Sequence, residues 1–380
     1  MGKGASIILC LAIAALITLS LVMLASASAK WDSSADQYSL LVRQAIWLGV
    51  GVLALSVMAM IDYRHLERMA WPLFTVVCAA LILCYVPGIG DEAGGENRWI
   101  VLPVIGRFQP SEPAKLVIMI ALAAWFSKYR AETRSFLRGF IIPSLILGFP
   151  LMLILFEWDM GTAAGLGAAG LIVLFVSGTR IRYLGGSIVA AVSLLVVMVQ
   201  GNSNRMGRIT AFQDLDATRL GVGMQQWLGI RAFGNGGTTG MGLGNGVVKQ
   251  MNFPEHHTDF IFPVIGEELG VFVTLGVILC FVVIFLVGLG ISLQASDRFG
   301  SVLGIGVTSA IVIPAMMNIG VTTASLPNTG LPLPFVSYGG SSLVFSLAMV
   351  GVLLSILRRS HQVDVTEMPA VKQKVLEVRL

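Results

Sequence analysis

Segment 252–270, with the sequence NFPEHHTDFIFPVIGEELG, concentrates side chains that could do chemistry at a membrane surface. Its polar first half contains Glu255, His257, Thr258 and Asp259, and its second half begins a long apolar run. Asp259 therefore lies where water gives way to lipid, a depth at which an ionisable group is costly and a functional role is the default expectation. A carboxylate there could act as a general base. The structural alternative is an acid that stabilises the positive end of a helix dipole.

Charges at the ends of other apolar runs could serve the same site. Glu112 and Lys115 are three residues apart, a spacing that puts them on one helix face where they can pair. The pair either closes a helix bundle or holds Lys115 ready for an anionic substrate, with Ser111 as a candidate helix cap. Asp159 lies at a turn between two apolar runs. Arg98 is a further cation near the interface, where snorkelling is the alternative explanation.

These cations and acids suit a substrate with a phosphate or diphosphate at the level of the lipid headgroups. Cations neutralise the phosphate, and a carboxylate accepts the proton of an attacking hydroxyl. The sequence has no Walker-type loop or dinucleotide fingerprint, so a donor activated by a lipid is favoured over a nucleotide. The adjacent His256 and His257 do not point one way on a helix, which disfavours a metal site made of these side chains. A divalent cation, Mg²⁺ or Mn²⁺, held with a diphosphate stays open as a cofactor.

The composition is that of a helical membrane protein. Of the 380 residues, 56% are hydrophobic and 12% are charged, whereas soluble domains carry about 25% charged residues. The apolar runs have the length of helices, so the predicted fold class is an all-α polytopic membrane protein and not a β-barrel. The net charge of +4 comes without a basic patch interleaved with aromatic residues, so no nucleic-acid partner is expected. Glu267 and Glu268, inside an apolar run, are expected to face the bundle interior and brace helices.

Ten apolar segments are predicted to span the membrane. Basic residues gather in the loops after the second, fourth, sixth, eighth and tenth segments, so the positive-inside rule places these loops and both termini in the cytoplasm. The first segment resembles a signal peptide, but its run of about 20 residues exceeds the usual apolar region of about 7–15, and we expect it to be retained. The predicted spans are 5–28, 42–61, 71–88, 113–127, 139–157, 161–177, 185–200, 260–289, 301–325 and 342–357.

The outward face then carries the unusual loops, and loops of their length are uncommon unless functional. The longest, 201–259, connects the seventh and eighth spans and includes a stretch, 217–233, that is predicted to form an amphipathic helix lying on the membrane. Residues 1–360 are predicted to form one transmembrane domain, followed by a cytoplasmic tail at 361–380. The other two outer loops are 88–109 and 326–342.

Three motifs in the sequence are specific enough to indicate a family. Residues 108–115 read FQPSEPAK, residues 253–262 read FPEHHTDFIF, and residues 333–342 read LPFVSYGGSS. In this order they resemble the signatures of the SEDS family, which comprises RodA, FtsW and the sporulation protein SpoVE, and the resemblance runs from about residue 8 to residue 358. The stretch 240–250, GMGLGNGVVKQ, and the sequence PFVS at 334–337 favour the FtsW-like division branch over a RodA-like elongation polymerase.

The resemblance implies a glycosyltransferase with ten transmembrane helices that polymerises lipid II, an undecaprenyl diphosphate-linked disaccharide pentapeptide, on the outer face of the cytoplasmic membrane. It also implies a class B penicillin-binding protein as partner, with other divisome or elongasome proteins. The family's essential aspartate maps onto Asp259, its conserved glutamate and lysine onto Glu112 and Lys115, and the acid before its Gly-Thr turn onto Asp159. The stretch 156–159, FEWD, departs from the family's usual Gln-Pro-Asp.

The predicted mechanism is an inverting displacement of undecaprenyl diphosphate that forms a β-1,4 linkage, with Asp259 as general base. Lys115 and Arg98 would hold the diphosphate, and Glu112 would position Lys115. Two alternatives come from other classes: a flippase for a lipid-linked sugar, which needs access to both faces, and a scaffold for a penicillin-binding protein, which needs none of the acids. The substrate-binding candidates are Arg98, Asp159, Glu255, His257, Thr258, Ser337 and Ser341.

Overall fold

The computed structural model describes residues 2–28, 39–93, 96–102, 106–201, 203–250 and 257–366. Glu255 and His256 lie outside this part of the chain. The described part contains twelve α-helices and one small sheet. The helices are α1 (Gly2–Ser28), α2 (Ser39–Met60), α3 (Arg64–Leu83), α4 (Ser111–Lys128), α5 (Ile142–Phe156), α6 (Met160–Val176), α7 (Ile181–Gln200), α8 (Ser203–Gln213), α9 (Met224–Gly236), α10 (Ile261–Leu293), α11 (Arg298–Thr322) and α12 (Gly340–Thr366).

Eight of the described helices are long and apolar enough to cross a membrane. Two more match predicted spans: α6, which is apolar but has 17 residues, and α4, whose 18 residues include Glu112, Lys115 and Lys128. With these two, ten described helices follow the order of the ten predicted spans. The predicted all-α polytopic membrane fold is confirmed.

The predicted limits of the third span, 71–88, are wrong, because α3 runs from Arg64 to Leu83. A hydropathy window detects the apolar middle of a helix and misses a charged first turn. Arg64 therefore belongs to the helix and not to the preceding loop. Its Nε lies 2.9 Å from Oδ2 of Asp297, the residue that caps α11, so the charged starts of the two helices meet.

Helix α4 is the central element of the bundle. It packs against α3, α5, α6, α11 and α12, and almost all of its side chains are buried. Close packing depends on small residues: a Cβ at Gly306 of α11 would lie 3.0 Å from the Met119 sulfur of α4. Small residues allow helices to approach closely where lipid provides no hydrophobic driving force between them. This central position buries the charged first turn of α4.

The first outer loop, 88–109, contains an antiparallel sheet. Its strands are β1 (Gly90–Ala93), β2 (Glu96–Leu102) and β3 (Gly106–Phe108), with β2 in the middle. Opposite Trp99 on β2 lies Asp91 on β1, and the Asp91 carboxylate accepts a hydrogen bond from Arg107 Nε on β3 at 2.7 Å. The sheet gives Arg98 on β2 a fixed support.

The predicted amphipathic helix at 217–233 is wrong in limits and in role. Helix α9 begins at Met224, and it is built into the bundle by a buried polar side chain. Gln226 Nε2 donates to the carbonyl oxygens of Val321 (2.9 Å) and Leu326 (2.8 Å). A Cβ at Gly236 would lie 2.0 Å from the Gly266 carbonyl oxygen, so α9 and α10 touch backbone to backbone. Hydrophobic periodicity cannot distinguish such a helix from one that lies on the membrane.

Glu267 and Glu268 of α10 are fully buried and hold the glycine-rich outer segment 237–250, as expected of bracing residues. Glu267 bonds two groups and Glu268 bonds three, most of them in that segment, just before the break in α10 at Gly270 (φ 78°). Glu267 accepts from the Val248 N–H (3.1 Å) and from Asn235 Nδ2 (2.9 Å), while Glu268 pairs with Lys249 and accepts from the Gly244 N–H (3.0 Å) and Ser26 Oγ (2.7 Å).

Candidate active site

The stretch 257–259, just before α10, is held by its own backbone. Three consecutive carbonyl oxygens each accept a hydrogen bond from a residue distant in sequence. Because three hydrogen bonds hold this backbone, the Asp259 side chain starts from a defined position. The bonds are from the Tyr338 N–H to His257 (3.0 Å), from Ser337 Oγ to Thr258 (2.6 Å) and from Asn318 Nδ2 to Asp259 (2.7 Å).

Ser337 lies behind this stretch and connects it to the loop at Leu333 and to α2. Its hydroxyl donates to Thr258 and accepts from the Leu333 N–H at 2.8 Å, and its carbonyl accepts from Gln44 Nε2 of α2 at 3.3 Å. The side chain is 6% exposed. Ser341, in the first turn of α12, is also buried. Ser337 therefore holds the 257–259 backbone in place.

Asp159 begins α6 and organises a second group of polar side chains. Its Oδ1 caps the helix by accepting from the Thr162 N–H at 2.9 Å. Its Oδ2 accepts from Gln109 Nε2 at 3.2 Å and lies 3.9 Å from Arg98 Nη1. The preceding Trp158 has φ 67°, which a proline cannot adopt because its ring fixes φ near about −65°. The departure from Gln-Pro-Asp thus gives this turn a different backbone.

The predicted ion pair between Glu112 and Lys115 is present in the first turn of α4. Lys115 Nζ lies 2.8 Å from Glu112 Oε1, and both side chains are buried. Glu112 Oε2 is buried and bonds no group of the described residues. The prediction that Ser111 caps the helix is wrong: Ser111 is the first helical residue, and its buried Oγ bonds no group of the described residues.

The loop 326–339 joins the Asp159 turn to Asp259. A Cβ at Gly161 would lie 2.5 Å from the Thr329 carbonyl oxygen, so α6 begins directly against this loop. The next loop residue, Gly330, has φ 68°, and a Cβ there would lie 3.4 Å from Asp259 Oδ2. A glycine adopts this left-handed conformation without steric cost. The two acids therefore lie on either side of one loop.

Glu157 is a buried acid beside this site that the site prediction did not include. It is 0% exposed, and its carboxyl oxygens receive no nitrogen or oxygen donor from the described residues. Burial, and then the nearby Asp159 carboxylate, raise the pKa of Glu157 to about 8, against weaker lowering by Cys84 and Arg98. Glu157 is thus mostly neutral at pH 7. Its unusual place, directly after an apolar run and two residues before Asp159, was the signal in the sequence.

Three other residues of the site were missed as well. Asn318 lies within the apolar α11, and Nδ2 donates to the carbonyl oxygens of both Asp259 and Leu331 (2.6 Å). A polar side chain within a span is itself a signal of function. Gln109 and Gly330 carry no such signal, because their roles depend on loops that only the fold brings together.

No three His, Cys, Asp or Glu side chains gather as metal ligands within the described ranges. Four charged side chains form two ion pairs instead, Lys115 with Glu112 and Arg98 with Asp159. An anionic ligand would bind by replacing the carboxylate as the ion-pair partner of each cation. The geometry thus defines a helical membrane protein with a polar site at one end of the bundle, where α4, α6 and α10 begin.

Comparisons with known proteins define the family. The family described as Cell cycle protein, FtsW/RodA/SpoVE, matches residues 7–362. A relative from Geobacter metallireducens, named probable peptidoglycan glycosyltransferase FtsW, is 38% identical over 358 residues, covering 93% of this chain and 94% of its own. The chain belongs to the FtsW/RodA/SpoVE family.

Two solved structures have the same fold. One is a structure described by the words "Structural coordination of polymerization and crosslinking by a peptidoglycan synthase complex". Its matching chain has TM-score 0.77 and 27% identity, and the match covers 93% of this chain and 98% of its own. The other, the Thermus thermophilus rod shape determining protein RodA, has TM-score 0.69 and 26% identity, covering 93% and 97%.

Proposed function

We propose that this chain, an FtsW-like peptidoglycan glycosyltransferase by its family and its curated relatives, polymerises lipid II in cell division with Asp259 as the general base. The observation that carries the assignment of Asp259 is the fixing of 257–259 by three backbone hydrogen bonds, because a general base must be held within reach of the proton that it accepts. Asp259 also faces a loop that touches the turn of Asp159.

The reaction joins two lipid-linked disaccharides. The 4-hydroxyl oxygen of an acceptor N-acetylglucosamine attacks C1 of the donor N-acetylmuramic acid from the face opposite the leaving group. The new O–C1 bond forms, the C1–O bond to undecaprenyl diphosphate breaks, and the hydroxyl proton passes to Asp259. The configuration inverts, which gives the β-1,4 linkage. The leaving diphosphate is stable as an anion, so the base is the group that the protein must supply.

The cations of the site would bind the leaving diphosphate. Lys115 is buried, where water screens its charge weakly. When the diphosphate binds, Lys115 and Arg98 would turn from Glu112 and Asp159 towards its oxygens. Before the diphosphate binds, Glu112 and Asp159 hold the two cations close to its site. Little movement of the cations is then needed during the reaction itself.

The remaining candidates have supporting roles in this proposal. Thr258 and His257 would contact the sugars beside Asp259, together with Glu255. Ser337 positions the backbone of 257–259, and Ser341 lines the neighbouring first turn of α12. A divalent cation, Mg²⁺ or Mn²⁺, would neutralise the diphosphate if bound, and the buried, unbonded Oε2 of Glu112 is an oxygen that could hold it.

The partners and the orientation also belong to the proposal. Basic residues favour the cytoplasm for the end of the bundle opposite the site, so the site faces outward, at the surface of the inner membrane. Lipid II would enter from the membrane. A class B penicillin-binding protein would crosslink the product. The structurally similar chain of a peptidoglycan synthase complex supports this partner. Other divisome proteins would join this pair.

The test is polymerisation of purified lipid II by the full chain with its penicillin-binding partner. Asp259→Asn keeps the size of the side chain and removes the base, so we expect strand formation to fall at least about hundredfold. Thermal unfolding and co-purification with the partner show whether the variant is folded and assembled. Strands formed at the normal rate would exclude Asp259 as base. If the wild type makes no strands but moves lipid II across vesicles, the flippase alternative replaces the polymerase.

A further inference from the structure

A cleft of about 520 Å³ opens at the opposite end of the bundle from the candidate active site. It lies between the α4–α5 connection and the start of α7, on the side that the basic residues assign to the cytoplasm. Its charged lining consists of arginines, and no described residue that lines it is acidic. The lining residues are Arg134, Gly178, Thr179, Arg180, Ile181 and Arg182.

The two walls of the cleft are fixed to each other. Thr179 Oγ1 donates to the Gly139 carbonyl oxygen at 2.7 Å. Gly178 has φ 99°, which favours glycine, and a Cβ there would lie 3.3 Å from Thr133 Oγ1, so the Gly178 backbone lies close to the Thr133 side chain. The Tyr183 ring lies 5.2 Å from each of two phenylalanine rings of the other wall, Phe136 and Phe140. The cleft is therefore formed before any ligand binds.

Within the part of the chain that the structure describes, no carboxylate balances the charge in the cleft. Elsewhere on the same side, some arginines pair with acids: Arg64 with Asp297 at 2.9 Å and Arg359 with Asp62 at 3.6 Å. The acid nearest in sequence to Arg134, Glu132, pairs with Arg138 instead. Arg134, Arg180 and Arg182 form no ion pair with any carboxylate in the ranges that the structure describes. Arg182 is held in place by a 3.0 Å bond from Nη2 to the Tyr183 hydroxyl.

An apolar surface continues from the cleft along α7. This helix buries little of its surface, and Leu184 is its one residue described as buried. Ile181, on the rim of the cleft, is 74% exposed, and Val189, further along, is 67% exposed. The helix also starts without a side-chain cap, which leaves N–H groups of its first turn for an anion. A ligand that fits both features has an anionic head and an apolar tail.

We propose that this cleft binds the phosphodiester headgroup of an anionic phospholipid of the inner leaflet. The three arginines take the phosphate, and the acyl chains lie along the exposed face of α7. Basic pockets between transmembrane helices on the cytoplasmic side are suited to such headgroups. The site lies at the far end of the bundle from Asp259, so it is independent of the proposed glycosyltransferase site.

The test measures lipid that stays bound to the purified full chain, by native mass spectrometry, after exposure to equal amounts of phosphatidylglycerol and phosphatidylcholine. We expect phosphatidylglycerol to be retained selectively. Arg180→Gln with Arg182→Gln should weaken this retention by roughly tenfold or more, while Arg180→Lys with Arg182→Lys keeps most of it. The matched control, Arg68→Gln with Arg358→Gln, removes the same charge on the same side and should leave the retention unchanged.

Three results would overturn the proposal. The first is equal loss in the control and the cleft variants, which would reduce the effect to a diffuse attraction between basic loops and anionic lipid. The second is unchanged retention in the glutamine cleft variant with a normal thermal unfolding profile. The third is displacement of the bound lipid by millimolar inorganic phosphate with no preference for phosphatidylglycerol, since the cleft would then be a site for free anions.

Discussion

The Ser337 hydroxyl donates a hydrogen bond to the Thr258 carbonyl oxygen across 2.6 Å, and so joins two motifs that are 79 residues apart in the chain. The same hydroxyl accepts from the Leu333 N–H at 2.8 Å. One buried side chain thereby fixes the loop before α12 and the stretch that ends in Asp259. The sequence motif LPFVSYGGSS thus positions the proposed base.

Ser337→Ala leaves the Thr258 carbonyl and the Leu333 N–H without this partner, and we expect it to lower the free energy of unfolding by about 1–3 kcal/mol. Because the backbone around Asp259 loosens, the turnover rate should fall more than the affinity for lipid II. Lipid II polymerisation, with kcat and KM determined separately, checks this. Ser342→Ala, in the same motif, is the control and should keep both values. A rise in KM at constant kcat would instead give Ser337 a binding role.

Removing one partner of the Lys115–Glu112 pair should destabilise the protein, and removing the other as well should restore stability. Lys115→Met leaves the Glu112 carboxylate buried and unpaired, and we expect a loss of about 3–5 kcal/mol. Adding Glu112→Gln removes that charge and should restore most of the stability.

Activity separates the two roles of this pair. If Lys115 binds the diphosphate, polymerisation stays lost in the double variant even though it is stable. Thermal unfolding in detergent and lipid II polymerisation, run on both variants, test this. Recovery of activity together with stability would show that the pair is structural.

Asp159→Asn should separate the contribution of the helix cap from that of the carboxylate charge. Asparagine caps helices about as well as aspartate, so its side-chain oxygen still accepts from the Thr162 N–H and the stability should change little. Arg98 loses its partner carboxylate, so we expect polymerisation to fall. Asp159→Ala removes the cap as well and should lower the free energy of unfolding by about a further 0.5–2 kcal/mol, the usual contribution of a helix cap. Equal activity of wild type and the asparagine variant would exclude a role for the charge.

Glu157 makes stability depend on pH. Its pKa is about 8 in the folded chain, against an ordinary value of 4.5 for a glutamate. The folded state therefore holds an extra proton between these values, and the free energy of unfolding decreases as the pH rises from about 4.5 to about 8. The loss at alkaline pH has an upper bound of about 5 kcal/mol.

Glu157→Gln removes this titration. We expect the variant to unfold at the temperature of the wild type or slightly below at pH 5, and above the wild type at pH 8. Thermal unfolding across this pH range measures the difference. Glu67→Gln, in α3 at the other end of the bundle, is the control for the substitution itself. Parallel curves for Glu157→Gln and the wild type would contradict the assigned pKa.

The sequence by itself determined the fold class, the order of the spans and much of the candidate site. Hydropathy fixes which segments can cross a membrane, because each must satisfy its own backbone within lipid. The i,i+3 spacing fixed the Glu112–Lys115 pair, because a helix brings such residues to one face whatever the rest of the chain does. The position of Asp159 at a turn and of Asp259 at the start of a span were also visible in the order of polar and apolar residues.

The tertiary structure alone decided which distant residues hold those groups. Gln109 and Gln44 look like ordinary polar residues until the start of α4 and the helix α2 pack beside their partners. Asn318 is visible as a polar residue within a span, but its partners are not. The burial of α9 likewise depends on contacts between segments far apart in the chain. Periodicity reports the face that a helix hides from water, but not which neighbour covers that face. Long-range packing makes that choice, and it set both the neighbours of Asp259 and the neutral state of Glu157.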